Sequence, residues 1–114
     1  MTTAGSDKPP VGLRDLDDIE AVFSALAHPV RRHILQVLVA RGGTLTAGEL
    51  NARFSHSWPT TSRHLGLLLD AGVVSVITTG RQRHYQVERQ KLGNVLALWL
   101  GSIGFELRPT DDLT

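Results

Sequence analysis

The chain has 114 residues, 41% of them hydrophobic and 20% charged, an ordinary composition for one globular domain with a single modest core. It contains no cysteine, which excludes disulfide frameworks and thiolate metal sites. The net charge of +1 hides a division: residues 21–91 carry nine Lys and Arg against three acids, residues 1–20 two against five, and residues 92–114 one against three. A basic centre between acidic ends suits a bound polyanion; scattered surface charge fits the same counts.

The start, Met1 to Asp7, has neither the basic opening nor the apolar run of a signal peptide. No apolar stretch approaches the roughly 20 residues that cross a bilayer, so a cytoplasmic chain without membrane contact is expected. Residues 1–12, with Pro9-Pro10 and Gly12, read as a flexible N-terminal arm. From Leu13 to Ala27, Leu16, Ile19, Val22, Phe23 and Leu26 recur at spacings of three and four, one stripe of a helix. His28-Pro29 ends it, because a residue before proline is pushed out of the α region, and His28 is expected to cap the helix that Pro29 opens. That second helix, roughly Pro29–Ala40, buries Val30, Ile34, Leu35 and Leu38 and stops at Gly42-Gly43.

Thr44-Leu45 can form a short extended piece. Thr46-Ala47-Gly48-Glu49 has the form of a capping box and opens a short third helix with Leu50 and Phe54 inward. Ser57 is the expected N-cap of a fourth helix, with Trp58 and Pro59 in its first turn. Thr61, Leu65 and Leu68 define its buried face, and Gly72 is its expected left-handed cap. Val73–Thr78 is rich in β-branched residues, Gln82–Val87 alternates, and Thr79-Gly80-Arg81 turns between them, giving a two-stranded hairpin. Leu92, Val95, Leu96, Trp99 and Ile103 mark a fifth helix that frays near Gly101 and Gly104. The expected fold is therefore mainly α with a small β-hairpin wing, in the order α-α-α-α-β-β-α over residues 13–105, followed by a tail, 106–114. Two short helices and a basic hairpin in this order make a winged helix-turn-helix.

Particular residues carry a family resemblance. Phe23-Ser24-Ala25-Leu26-Ala27-His28-Pro29-Val30-Arg31-Arg32-His33-Ile34-Leu35 resembles the opening of the ArsR-type repressors, usually a phenylalanine, Ala-Leu, Asp-Pro-Thr-Arg-Arg and then Ile-Leu. Leu45 to Leu50, Ser57 to Leu65, Ala71 to Val74 and Gly80 to Tyr85 continue the pattern in order, so the resemblance spans about residues 16–103. Leu98-Trp99-Leu100 is similar to the SdpR-like autorepressor branch. The resemblance implies a homodimer built from the first and last helices, repressing transcription by occupying its operator. Three departures stand out. The third helix reads Glu49-Leu50-Asn51-Ala52-Arg53, where metal-sensing members often carry a cysteine pair; residues 90–105 lack the Asp and His ligands that others place on the last helix; and Trp58 replaces a common glutamine.

On this reading the partner is double-stranded DNA, read by the helix of residues 58–71 and by the wing, 73–87. The residues expected at DNA are Ser57, Trp58, Thr60, Ser62, Arg63 and His64 on the helix, with Arg81 and Arg83 on the wing. Trp58 either packs on a thymine methyl or sugar or staples the helix start against Phe54, with packing favoured. Tyr85 anchors the wing in the core. Arg31 and Arg32 either contact phosphates or pair with the acidic first helix. Leu16, Ile19, Phe23, Leu92, Leu96, Trp99 and Ile103 form the expected dimer face. His28, His33, His56, His64 and His84 include no i, i+4 pair within one helix, so no metal ligands and no cofactor are assigned, and the effector is open. A metal-responsive repressor using histidines and a winged-helix protein-interaction module stand as alternatives. No nucleophile, paired-carboxylate, H-E-x-x-H or phosphate-loop motif points to an enzyme.

Overall fold

The computed structural model describes residues 12–42 and 44–105, so the expected arm, apart from Gly12, and the expected tail lie outside the described residues. Five helices and three strands follow in the order α1 (Leu13–Leu26), α2 (Pro29–Ala40), β1 (Thr44–Thr46), α3 (Ala47–Asn51), α4 (Trp58–Asp70), β2 (Val74–Thr79), β3 (Gln82–Val87) and α5 (Arg89–Ser102). No helix among the described residues is long and apolar enough to cross a membrane.

Local chemistry sets the boundaries. His28 takes the N-cap of α2, its Nδ1 accepting from the Val30 amide at 3.1 Å, and Pro29 fills the position where a missing N–H costs nothing. Thr46 and Glu49 form a reciprocal box on α3: the Glu49 amide donates to the Thr46 hydroxyl at 3.2 Å and the Thr46 amide to the Glu49 carboxylate at 2.9 Å. Hydrogen bonding to the carboxylate from the Thr46 amide, and then from the Thr46 side chain, holds the Glu49 carboxyl below its ordinary pKa. Gly72 follows α4 with φ +74°, the left-handed geometry that a Cβ would strain, and a side chain there would also collide with Lys91 Nζ.

The wing differs from the expected two-stranded hairpin. Thr44-Leu45-Thr46 adds a third antiparallel strand, and the sheet runs β1-β3-β2 with Leu45 opposite Tyr85 and Val76 opposite Tyr85 on the other side. Leu45 and Tyr85 are both buried, so pairing extends the core beneath the wing. The core comprises Ile19 and Val22 of α1, Ile34, Leu35 and Leu38 of α2, Leu50 of α3, Leu65 and Leu68 of α4, Val73 and Val74, and Val95 of α5. Helix α3 ends at Asn51, earlier than its expected apolar pattern, which leaves Phe54 in the following loop, half-buried against the core.

Ile19 corrects the expected dimer face. It is 2% exposed within the single chain, because α1 turns Ile19, Val22 and Ala25 toward the core while Leu16 stays 46% exposed. Phe23 meets Trp99 of α5 edge-on, ring centroids 5.0 Å apart, which fastens the terminal helices to each other.

Candidate nucleic-acid interface

The two faces of α4 are sharply unlike. Thr61, Leu65 and Leu68 are buried, as their spacing requires, while Trp58, Pro59, Ser62 and Arg63 are exposed on the other side. The helix starts at Ser57 in an extended N-cap conformation, but the Ser57 hydroxyl bonds to the Thr60 hydroxyl at 3.2 Å instead of capping an amide. The first turn therefore presents a pair of linked hydroxyls beside open amides, a donor set suited to phosphate or base edges. Trp58 is 42% exposed, and Phe54, its expected stapling partner, pairs with His33 and His56, at 5.1 and 5.8 Å between centroids. The ring partners of Phe54 are thus His33, edge-on, and His56, stacked, and Trp58 is not among them.

The wing places a second set of cations. Gly80, with φ +62°, closes the turn between Thr79 and Gln82, and Arg81 and Arg83 are both exposed there. The Arg83 guanidinium lies 5.8 Å from the ring centroid of Tyr85, whose buried ring fixes the root of the strand. So Tyr85 takes the expected anchoring place and the arginines take the solvent side.

Among the described residues, Arg31 and Arg32 bond to carbonyls of the first helix and not to its acidic side chains. Arg31 Nε donates to the Ala25 carbonyl at 2.7 Å and Nη2 to that of Ser24 at 3.2 Å; Arg32 Nη1 donates to the Leu26 carbonyl at 2.6 Å. They serve the carbonyl end of α1, where unpaired acceptors and the helix dipole favour cations, and not its carboxylates. Arg31 also reaches α4: its Nη1 stands 3.2 Å from His64 Nδ1. The His64 ring lies 4.6 Å from that of His28 and 6.5 Å from that of His56. Burial, and then the neighbouring His28, Arg31, His56 and Arg63, hold the His64 pKa below its ordinary 6.5.

This aromatic and histidine group could not be read from spacing, since His28, His56 and His64 come from three segments. His64 itself, expected at the margin of the DNA-facing side, is half-buried and leans on α2. Among the described residues no group of three or more histidine or acidic side chains is arranged to hold a metal ion. The Nδ1 lone pairs of His28 and His64 already face an amide and a guanidinium.

Apolar side chains are also open on and beside the terminal helices. Leu16, Ile103 and Phe105 are 46%, 61% and 54% exposed, and Leu92, Leu96 and Trp99 are half-buried between them and the core.

A family model described as a helix-turn-helix domain matches residues 26–77, which run from the end of α1 through α4 into β2. The transcriptional repressor SdpR of Bacillus subtilis is 39% identical over 66 residues, 58% of this chain and 71% of that protein. The biofilm growth-associated repressor of Agrobacterium fabrum is 29% identical over 79 residues, 69% of this chain and 66% of that protein. A solved ArsR-like transcriptional regulator from Rhodococcus sp. RHA1 superposes with a TM-score of 0.70 at 28% identity, covering 81% of this chain and 84% of that one. The chain belongs to the ArsR-type family of winged helix-turn-helix transcriptional repressors, which are DNA-binding regulators and not enzymes.

Proposed function

We propose that the protein is a homodimeric repressor that occupies an inverted-repeat operator in the cytoplasm, with α4 in the major groove and the wing at an adjacent minor groove or its phosphates. The observation that carries this reading is the outward face of α4: beside the buried Thr61, Leu65 and Leu68 it offers Trp58, Ser62 and Arg63 to a groove. Ser57 and Thr60 flank that face, and Arg81 and Arg83 extend the basic surface onto the wing. A single domain of this size reads too few base pairs for tight specific binding, and the exposed apolar groups of α1 and α5 support a second copy that supplies the other recognition helix. Leu16, Phe23, Leu92, Leu96, Trp99 and Ile103 are its proposed contact face.

The similarity to the transcriptional repressor SdpR supports the repressor reading, and control rests with the chain's own concentration or with an unknown partner. The affinity of the chain for a duplex selected from a random-sequence library, measured by fluorescence anisotropy across a salt series, tests the DNA reading. Binding should weaken steeply with salt, and Arg63→Ala and Arg81→Ala should each reduce the slope of log K against log salt by about one. Selection of no sequence, or unchanged binding by both variants, overturns the reading in favour of a protein-docking module.

A further inference from the structure

We propose that Arg31 is a positioning residue for DNA recognition: it clamps the recognition helix, through His64 Nδ1, to the carbonyl end of α1. The inference rests on the reading that α4 enters the groove, and adds what fixes its angle there.

The geometry is that of one fork serving two helices. Arg31 Nε and Nη2 donate to the Ala25 and Ser24 carbonyls, and Nη1 is left for His64 at 3.2 Å. A guanidinium has donors only, so the contact exists only while Nδ1 of His64 is unprotonated, which puts the ring proton on Nε2. The planar fork is already oriented by the α1 carbonyls, so little freedom remains to be lost in the third bond. A flexible ammonium at position 31 would lack that preorganisation.

The groups facing His64 are all cationic or able to become so. His28 stands at the start of α2, Arg31 is on α2, His56 is in the loop before α4, and Arg63 is on α4 itself. The histidine pair is kept close, at 4.6 Å between the rings of His28 and His64. A second proton on His64 therefore removes the acceptor and adds a like charge beside Arg31, releasing the clamp. Because α1 carries part of the proposed dimer face, the clamp also ties the angle of α4 to the seating of the two copies.

The test separates positioning from direct DNA contact by using side chains that copy one ring nitrogen each. Asn places an acceptor near the position of Nδ1, and Gln places a donor near that of Nε2. On the library-selected duplex, His64→Asn should bind within about threefold of the wild type, and His64→Gln and Arg31→Gln should each lose roughly tenfold. Arg31→Gln should leave the salt slope unchanged, since the clamp neutralises no phosphate. The double variant Arg31→Gln/His64→Gln should be no worse than either single one. Wild-type affinity for the specific duplex, relative to a scrambled one, should hold at neutral pH and fall as the pH drops below 6.5, and His64→Asn should flatten that profile. Rescue by Gln and not by Asn, or a salt slope lowered by about one in Arg31→Gln, overturns the proposal in favour of a DNA-contacting role.

Nitrogen-detected titration of the free protein gives an arm that needs no DNA. His64 should populate the Nε2–H tautomer, and Arg31→Gln should raise its midpoint. A Nδ1–H tautomer overturns the clamp even if DNA binds, whereas failure to select any duplex overturns only the groove reading.

Discussion

Helices α4 and α5 are nearly equal in length but finished to different degrees. On α4 the buried residues Thr61, Leu65 and Leu68 form one stripe, while Trp58, Pro59, Ser62 and Arg63 lie open on the other side and Leu67, 43% exposed, is the one leucine of the helix left outward. On α5 only Val95 is fully buried; Leu92, Leu96, Leu98, Trp99 and Leu100 are all partly covered, and Ile103 just beyond its end is open. A helix that buries its main apolar stripe inside its own chain is free to offer the other side to a polar ligand. A helix whose apolar side is half spent has surface to complete against another copy.

Breaking the comparison at its strongest point comes first. Leu65→Ala should remove about 2–5 kcal/mol from the unfolding free energy, read from a urea melt, because the site is enclosed on all sides and leaves a cavity. Ile103→Asp should act differently. The fold, judged by circular dichroism, should survive, since Ile103 is 61% exposed, while sedimentation should show a monomer and the affinity for an inverted repeat should fall by about a hundredfold or more. A dimer that persists in Ile103→Asp would show that α5 is complete as it stands.

Smaller effects sharpen the picture at the termini of the reading unit. Thr46→Ala, which deletes the box holding α3 in front of α4, should cost about 1 kcal/mol at neutral pH. The Glu49 carboxyl is held below its ordinary value of 4.5 by its bonds to Thr46, so its share is present above that pH and lost as pH falls through the lowered value. The gap between Thr46→Ala and wild type should accordingly narrow in acid. Thr61→Val is the smallest and has the opposite sign. The Thr61 hydroxyl is buried with no hydrogen-bond partner, so its removal should leave stability unchanged or raise it by up to about 1 kcal/mol. A loss greater than that would mean the hydroxyl is satisfied by water.

Much of this was legible in the sequence because local rules govern it. The α4 stripe follows from i, i+4, i+7 spacing; the caps at His28 and Thr46 and the left-handed Gly72 follow from short-range geometry. Four features depended on more than local periodicity. β1 becomes a strand only because β3 offers it an edge. Ile19 and Leu16 share a helical repeat, and only the position of the neighbouring helices tells which one is inside. The His28–His56–His64 group joins segments with no common period, and Arg31 finds carbonyls where sequence shows only nearby carboxylates. The proposed DNA-reading side chains are legible as exposed polar groups, and the duplex bases they meet are not encoded in any such pattern.

The sheet has one last implication. β1 is opposite only His84, Tyr85 and Gln86, whereas the β2–β3 ladder continues outward to Thr79 and Gln82. The wing is thus a three-stranded slab at its root and a two-stranded ribbon at its tip. Ribbons of two strands twist more freely than wider sheets. Thermal and sequence-dependent variation in groove width can then be absorbed by coiling of the outer ribbon, with Arg81 carried along, while Tyr85 and the core beneath it stay still. A single repressor could in this way tolerate operators of slightly different shape without yielding any of its own packing.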